Sequence, residues 1–298
     1  MKAGFVSIVG RPNAGKSTLL NRVIGTKVAI VSDKPQTTRN RILAVRNARA
    51  GQIVFMDTPG IHRPLHRMNV RMVDMALESM REVDVVLLLV DASEASGKGD
   101  RFVLDLFKDA KIPVVLALNK IDLVRKSRLL PKIDEYRTQH EFAAIVPISA
   151  LTGDGVNRLE EELFAQLPDG EALYPADYLT DQPERVFAAE IVREKLLQHT
   201  RDELPFTTAV VVDSFEEAPK GGLMRIYCSI IVDQDSQKPI VIGRRGEMIK
   251  RIGTEARQDL ERLFGTRVFL DLHVKVRSDW RDDDGLLDEM GVARTRRR

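Results

Sequence analysis

Gly10-Arg11-Pro12-Asn13-Ala14-Gly15-Lys16-Ser17 has the spacing G-x-x-x-x-G-K-[ST], and each residue type in it has a task on a polyphosphate. Gly10 and Gly15 let the backbone curl, so that successive N–H groups around Ala14 point inward at phosphate oxygens. Lys16 brings a cation to the outer phosphates and Ser17 a hydroxyl to Mg²⁺. Thr18 then lies in the first turn of a helix, whose N-terminus adds partial positive charge. Further along, Thr37 and Thr38 lie in a loop, where a threonine can complete Mg²⁺ coordination when a γ-phosphate is present. Asp57-Thr58-Pro59-Gly60 offers a carboxylate to the Mg²⁺ shell and the Gly60 N–H to the γ-phosphate. Lys16, Thr38 and Gly60 are therefore the candidate catalytic residues. Ser17, Thr38 and Asp57 are the candidate Mg²⁺ residues.

Base choice is carried by Asn119-Lys120-Ile121-Asp122. A carboxylate at Asp122 accepts both the N1–H and the exocyclic amine of guanine, a pair that adenine cannot offer. Ser149-Ala150-Leu151 then lies where a loop N–H could meet the guanine carbonyl. A different chemistry appears at Ile242-Gly243-Arg244-Arg245-Gly246, a G-x-x-G loop followed by Lys250 and Arg251. Two glycines admit a phosphate backbone closely. From 240 to 257, Arg244, Arg245, Lys250, Arg251 and Arg257 face only Glu247 and Glu255, a local excess of three positive charges.

These residues need elements to hold them. Apolar runs at 5–9, 83–90, 112–118 and 144–148 read as buried strands. Helical stretches at 17–24, 70–81, 101–110, 129–140 and 157–167 alternate with them. Residues 41–48 and 52–56 form a hairpin, with Ala50 and Gly51 near its turn. The alternation predicts an α/β fold, a mostly parallel sheet with helices on both faces. The motifs fall at the carboxyl ends of the strands, where ligands bind in such sheets. After a Pro-containing stretch the order becomes helix (185–200), strand (207–213), strand (225–233), the G-x-x-G loop between helices, and strand (268–276). Gly221 and Gly222 connect the first two strands.

Composition sets the outer limits. The 298 residues suffice for two domains, and 43% hydrophobic with 30% charged residues is ordinary for a globular chain. Net charge is only +2, so any basic surface is local. The single Cys228 excludes an internal disulfide and lies in an apolar strand-like run, as a core residue would. No apolar run is long enough to span a bilayer. His62 and His66 lack the companions of a metal site and read as solvated loop.

In order and spacing, Gly10–Ser17, Thr37-Thr38, Asp57–Gly60, Asn119–Asp122 and Ser149–Leu151 resemble the five motifs of translation-factor-type small GTPases. Asn13 and Gln36-Thr37-Thr38-Arg39 resemble the Era branch specifically. The second half resembles an α+β type II KH domain, whose loop clamps single-stranded RNA. Together the halves resemble the Era family of ribosome-assembly GTPases over nearly the whole chain. That resemblance implies residues 1–170 as GTPase domain, 171–183 as linker, 184–278 as KH domain and 279–298 as a mobile tail. It implies GTP/GDP with Mg²⁺ as ligands. Its RNA would be the 3′ end of small-subunit ribosomal RNA, on the small ribosomal subunit. The expected chain is a monomer, cytoplasmic, with no transmembrane segment; contact at the inner face of the cell membrane stays open.

Two points concern turnover. Ile61 stands where many small GTPases carry a water-orienting glutamine, so slow intrinsic hydrolysis is expected. Asn13 resembles an asparagine that holds K⁺ against the phosphates in some GTPases; Arg39 and Arg41 are weaker candidates for an internal arginine finger, more suited to solvent or RNA phosphate. Three rival readings make different demands on the sequence. A nucleotide-binding RNA scaffold without turnover is separated by single-turnover hydrolysis. A membrane-linked signalling GTPase finds no long basic amphipathic helix, and an ATPase is disfavoured by Asp122.

Overall fold

The computed structural model describes residues 1–34, 37–60, 66–95, 97–106, 112–200, 204–217 and 222–292. Gln36, Ile61, His62, Gly221, the last residues of the helix expected at 101–110 and the terminal arginines 294 and 296–298 lie outside them.

The first unit runs β1 (Lys2–Gly10), α1 (Lys16–Ile24), β2 (Ile42–Ala48), β3 (Gly51–Asp57), α2 (Arg67–Ser79) and β4 (Val85–Asp91). It continues with α3 (Lys98–Asp105), β5 (Val114–Asn119), α4 (Leu129–Arg137), β6 (Ala144–Pro147) and α5 (Val156–Gln166). Its six strands lie in the order β2-β3-β1-β4-β5-β6, parallel except for the β2–β3 hairpin. The near-continuous valine and leucine of β4 and β5 is buried on both faces, as a parallel sheet covered by helices requires. One layer packs Leu19, Leu20, Leu159 and Leu163 on the sheet; the other packs Ala76, Met80, Val103 and Tyr136.

The second unit is α6 (Glu184–His199), α7 (Leu204–Thr207), β7 (Thr208–Glu216), β8 (Leu223–Val232), α8 (Lys238–Ile242), α9 (Glu247–Phe264) and β9 (Arg267–Val276). β7 and β8 pair antiparallel, with an irregularity between Val212 and Ser214, and β8 pairs with β9 in parallel. Ile252, Ala256 and Leu260 bury one face of α9 on this sheet, at the helical spacing read from the sequence. Cys228 is buried there, and burial pushes its thiol up to about 12, so it stays an unreactive core residue.

Two expectations are corrected, and one gains detail. The linker stretch 171–183 packs on the first unit. Val45 N–H donates to Leu179 O at 2.9 Å, Thr180 Oγ1 to Leu43 O at 2.7 Å, and stacked Tyr174 and Tyr178 pack on Leu43, Val45 and Val54. The expected mobile tail is folded as far as residue 292. Trp280 is fully buried, its Nε1 donating to Thr207 O at 2.9 Å, and α10 (Asp284–Glu289) buries Leu286 and Leu287. Asp283 caps α10 by accepting from Leu286 N–H at 3.0 Å. Finally, α2 starts three residues earlier than its periodicity suggested. The tail explains this: Arg67 N–H donates to Asp282 at 2.9 Å, and Met68 and Met72 join Trp280, Leu286, Ala209, Val211 and Ile231 in one cluster between the two units.

Candidate functional site

The phosphate loop leaves β1 at Gly10 and enters α1 at Lys16. Gly15 has φ +96, and a Cβ there would lie 2.3 Å from Asn119 Nδ2, so only glycine fits. Asn13 also adopts positive φ (64°), and its Nδ2 donates to Asp33 O at 2.7 Å. Lys16 is buried with its Nζ donating to Gly10 O (3.2 Å) and Arg11 O (3.0 Å). Its ammonium thus lies inside the loop mouth, where burial lowers its pKa and the Asp57 carboxylate pulls the other way.

Ser17, Thr38 and Asp57, far apart in the chain, meet here. Ser17 Oγ and Thr38 Oγ1 are 2.8 Å apart, and each reaches Asp57 Oδ2, at 3.0 and 3.3 Å. The other carboxylate oxygen, Asp57 Oδ1, is buried with no hydrogen-bond partner among the described residues. Two hydroxyls and one carboxylate, with one of its oxygens unpartnered, suit a hard cation that takes its remaining ligands from phosphate and water. Mg²⁺ fits this donor set and, when bound, would neutralise charge on the phosphate oxygens. Burial raises the Asp57 carboxyl to about 6, against the opposing pull of Lys16 and the Ser17 and Thr38 hydroxyls. Protons and Mg²⁺ therefore compete for it as pH falls through about 6.

Thr58 Oγ1 donates to Ile8 O at 2.9 Å and pins the turn after β3 onto β1. Gly60 approaches the phosphate loop so closely that a Cβ would lie 2.9 Å from Pro12 N. The cleft so formed encloses about 410 Å³ and is lined by Asn13, Gly15, Lys16, Ser17, Thr18, Thr37, Thr38 and Gly60, and also by Ile30–Asp33, Glu94 and Lys120. Sequence reading missed the Ile30–Asp33 wall, because an aperiodic loop carries no signal of which side faces a ligand. Arg39 is not at this cleft. It is buried against the second unit, donating to Thr208 O at 2.9 Å with its guanidinium 5.4 Å from the Trp280 ring. The arginine-finger and solvent expectations for Arg39 both fail. Arg41 is exposed.

At the base end, Asn119 does structural work. Its Nδ2 donates to Ala14 O at 2.8 Å and its Oδ1 accepts from Ala150 N–H at 2.9 Å, joining the phosphate loop to the loop after β6. Ser149 shapes that loop by accepting from Thr152 N–H at 3.1 Å, and Leu151 stays exposed. Lys120 adopts positive φ (65°) and pairs with Asp91 at 2.6 Å, a partner the sequence did not reveal. Asp122 is exposed on the turn Ile121–Leu123, its carboxylate accessible to a base. Asp122→Asn should shift preference from GTP toward xanthosine triphosphate by roughly 10- to 100-fold, since an amide can donate to the extra carbonyl of xanthine. Competition binding with the two nucleotides checks it; an unchanged ratio would place base reading elsewhere.

The second site is built at the start of α9. Gly243 (φ +76) turns the chain so tightly that a Cβ would lie 2.6 Å from Met248 Cβ. Arg244, Arg245 and Lys250 are exposed; Ile242 is half-buried below them, and Gly246 (φ +79) opens α9. Arg251 is exposed but held by Glu255 at 3.1 Å, so its charge is partly spent. Beside the loop lies a groove of about 290 Å³ lined by Ile249, Lys250, Gly253, Thr254, Arg257, Leu270, Asp271 and Leu272. Gly253, Thr254, Leu270 and Leu272 were not singled out from sequence. A glycine inside a helical stretch was the available signal. Here it lets α9 approach β9, a Cβ meeting Leu272 Cδ1 at 3.3 Å.

Both units have counterparts among known proteins. Residues 5–120 match the family described as 50S ribosome-binding GTPase, and residues 203–281 match the KH domain family. The chain is 52% identical over 290 residues to the GTPase Era of Geobacter metallireducens, covering 97% of each. It is 50% identical to that of Syntrophus aciditrophicus, covering 97% of this chain and 95% of that one. Among solved structures, an Era variant from Aquifex aeolicus bound to GDP·AlF4⁻ is 43% identical with a TM-score of 0.94, over 98% of this chain and 100% of that one. An Era complex with MgGDPNP and nucleotides 1506–1542 of 16S ribosomal RNA is also 43% identical, with a TM-score of 0.95 over 98% and 99%.

Proposed function

Because the chain belongs to the Era family of GTPases, we infer that it is a GTP-driven switch that grips a single strand near the 3′ end of small-subunit ribosomal RNA and assists assembly of that subunit. It binds guanine nucleotide and hydrolyses GTP. The RNA reading is carried by one observation: the helix that follows the G-x-x-G turn lines, with β9, a groove of Leu270 and Leu272 flanked by Lys250 and Arg257, with one carboxylate, Asp271. A KH groove of that kind takes unstacked bases against its floor and backbone phosphates at its loop. The likeness to an Era structure that holds 16S nucleotides supports the same reading. Titrating the full chain with a labelled oligonucleotide of the 3′-terminal strand, single-stranded and as a duplex, tests it. Saturable binding of the single strand alone is expected; equal binding of both would overturn it.

Lys16, Thr38 and Gly60 are the residues that act on the γ-phosphate in this reading, with Ser17, Thr38 and Asp57 on Mg²⁺. Asp122 meets the base in the same reading, Asn119 ties the 149–151 loop to the phosphate loop around it, and Lys120 lines the cleft. The chain works in the cytoplasm as a monomer. Among the described residues no helix is long and apolar enough to cross a membrane. Contact with an anionic membrane surface has one feature in its favour, exposed Leu123 and Leu130 amid Arg125, Lys126, Arg128 and Lys132.

Turnover in this reading is slow and assisted by K⁺. Asn13 donates through Nδ2 to Asp33 O, which leaves its amide oxygen for a cation beside the phosphates. A monovalent ion there would offset charge that develops during hydrolysis. Initial rates in KCl should exceed those in NaCl by about ten-fold at equal ionic strength, which screens both alike, and Asn13→Ala should erase the difference. Equal rates in the two salts rule out a selective site.

A further inference from the structure

Helix α6 belongs to the second unit, yet two of its charged side chains, Arg193 and Glu194, are spent on the loop that carries Thr38. Glu190, Arg193 and Glu194 share one helix face by their spacing. The Arg193 guanidinium is clamped by Glu190 and donates to the carbonyl oxygen of Thr37. Glu194 accepts from Val31 N–H at 2.9 Å and from Lys27 Nζ at 2.5 Å. Arg39 leaves the same loop two residues further on and is anchored on Thr208 O and Trp280. The loop is therefore gripped at its start, beside Thr38 and just past it, always by the second unit.

Burial makes these contacts informative. Arg193 is 1% exposed, Glu194 3% and Arg39 2%. Buried charges cost more than an apolar packing of similar shape unless they are fully partnered, so three at one contact need a reason beyond adhesion. Position supplies the reason. Thr37 O faces α6 while the next residue turns Thr38 Oγ1 to Ser17 and Asp57. Fixing one carbonyl fixes the peptide plane between the two residues, and so narrows the directions open to the Thr38 side chain.

We propose that Arg193, clamped by Glu190, is a positioning residue for GTP hydrolysis: it holds the Thr37 carbonyl so that the Thr38 hydroxyl stays on the Mg²⁺ niche. The nucleotide site of the first unit is then completed by the second. A link to the RNA side follows from α9, which begins at the G-x-x-G loop and carries Asp259. Asp259 pairs with Lys195 of α6 at 2.6 Å and with Lys27 of the gripped loop at 3.5 Å.

The test uses the full-length chain with fluorescent GDP, a non-hydrolysable GTP analogue and single-turnover GTP hydrolysis over a Mg²⁺ series. Arg193→Ala should slow hydrolysis roughly 10- to 100-fold, as misplacement of a reacting group does. It should weaken the GTP analogue about ten-fold more than GDP, because the loop threonine contributes only with a γ-phosphate present. Raised Mg²⁺ should recover part of the rate. Arg193→Lys should recover more, since one N–H donor is enough for a carbonyl. Should Arg193→Ala not fold, Glu190→Gln loosens the clamp while leaving the guanidinium in place, and the same GTP-selective loss is expected at smaller size. Wild-type hydrolysis in the folded variant would overturn the proposal. So would equal weakening of GDP and the analogue, which marks a merely structural contact.

Discussion

Lys16→Ala lowers single-turnover GTP hydrolysis by about 10²–10³-fold or more, while the chain still unfolds cooperatively near the wild-type temperature. The two halves of that expectation come from opposite sides of one geometry. Lys16 is the only cation inside the curl of the phosphate loop among the described residues, with its Nζ drawn to Gly10 O and Arg11 O. Once phosphates enter, the same ammonium is free to follow them, and nothing else in the loop replaces a charge on the transferring group. For stability, truncation leaves two carbonyls without a donor, each costing about 1–3 kcal/mol if dry. It also removes an ammonium whose burial is itself unfavourable, as its lowered pKa shows. The cleft is open to water, which can reach the carbonyls, so the terms largely cancel. Lys16→Arg is no rescue, because a planar fork does not fit where a compact ammonium does. Hydrolysis at wild-type rate with saturating GTP would remove Lys16 from the reaction, and a large fall in unfolding temperature would show that the loop depends on it.

Whatever the sequence made legible was chemistry tied to strand ends. The phosphate loop, Asp57, the Asn119–Asp122 turn and the 149–151 loop each follow an apolar strand whose burial is evident from composition. Placing the strands therefore placed the motifs at one edge of the sheet. What stayed hidden depends on contacts between the units. Trp280 lies among Arg281, Asp282, Asp283 and Asp284, and a window so charged reads as solvated. Yet one indole and two leucines on a six-residue helix are enough to close the cluster with Met68 and Met72. Arg39 read as a surface or catalytic arginine because its neighbours are polar; only the fold reveals that β7 and Trp280 surround it. α6 posed the same problem in reverse. Its apolar residues marked one buried face, but Arg193 and Glu194 are buried on another, against the first unit. Periodicity of hydrophobic residues cannot report a face buried by charge.

Replacing Arg244 and Arg245 together by Asp should weaken binding of the single-stranded 3′-terminal RNA by about 100-fold or more, since repulsion takes the place of two phosphate contacts. Both side chains project from a turn whose backbone is fixed by Gly243 and Gly246, and both are exposed with no ion pair among the described residues. They can therefore change sign without disturbing a packed neighbour, and the unfolding temperature should hold. Arg251, bound to Glu255, should matter less, which makes Arg251→Ala an internal control. The double alanine variant isolates the ionic part. Two fewer phosphates neutralised on a single strand lower the slope of log K against log salt by about 1.4. A loss of affinity with no change in that slope would mean that the arginines shape the loop instead of meeting phosphate. A loss of RNA binding and nucleotide binding together, at normal stability, would place the loop in a contact shared with the first unit. The geometry argues against that outcome. The loop lies at the start of α9, while Asp259, the residue of α9 that meets Lys27, lies more than three helical turns further on.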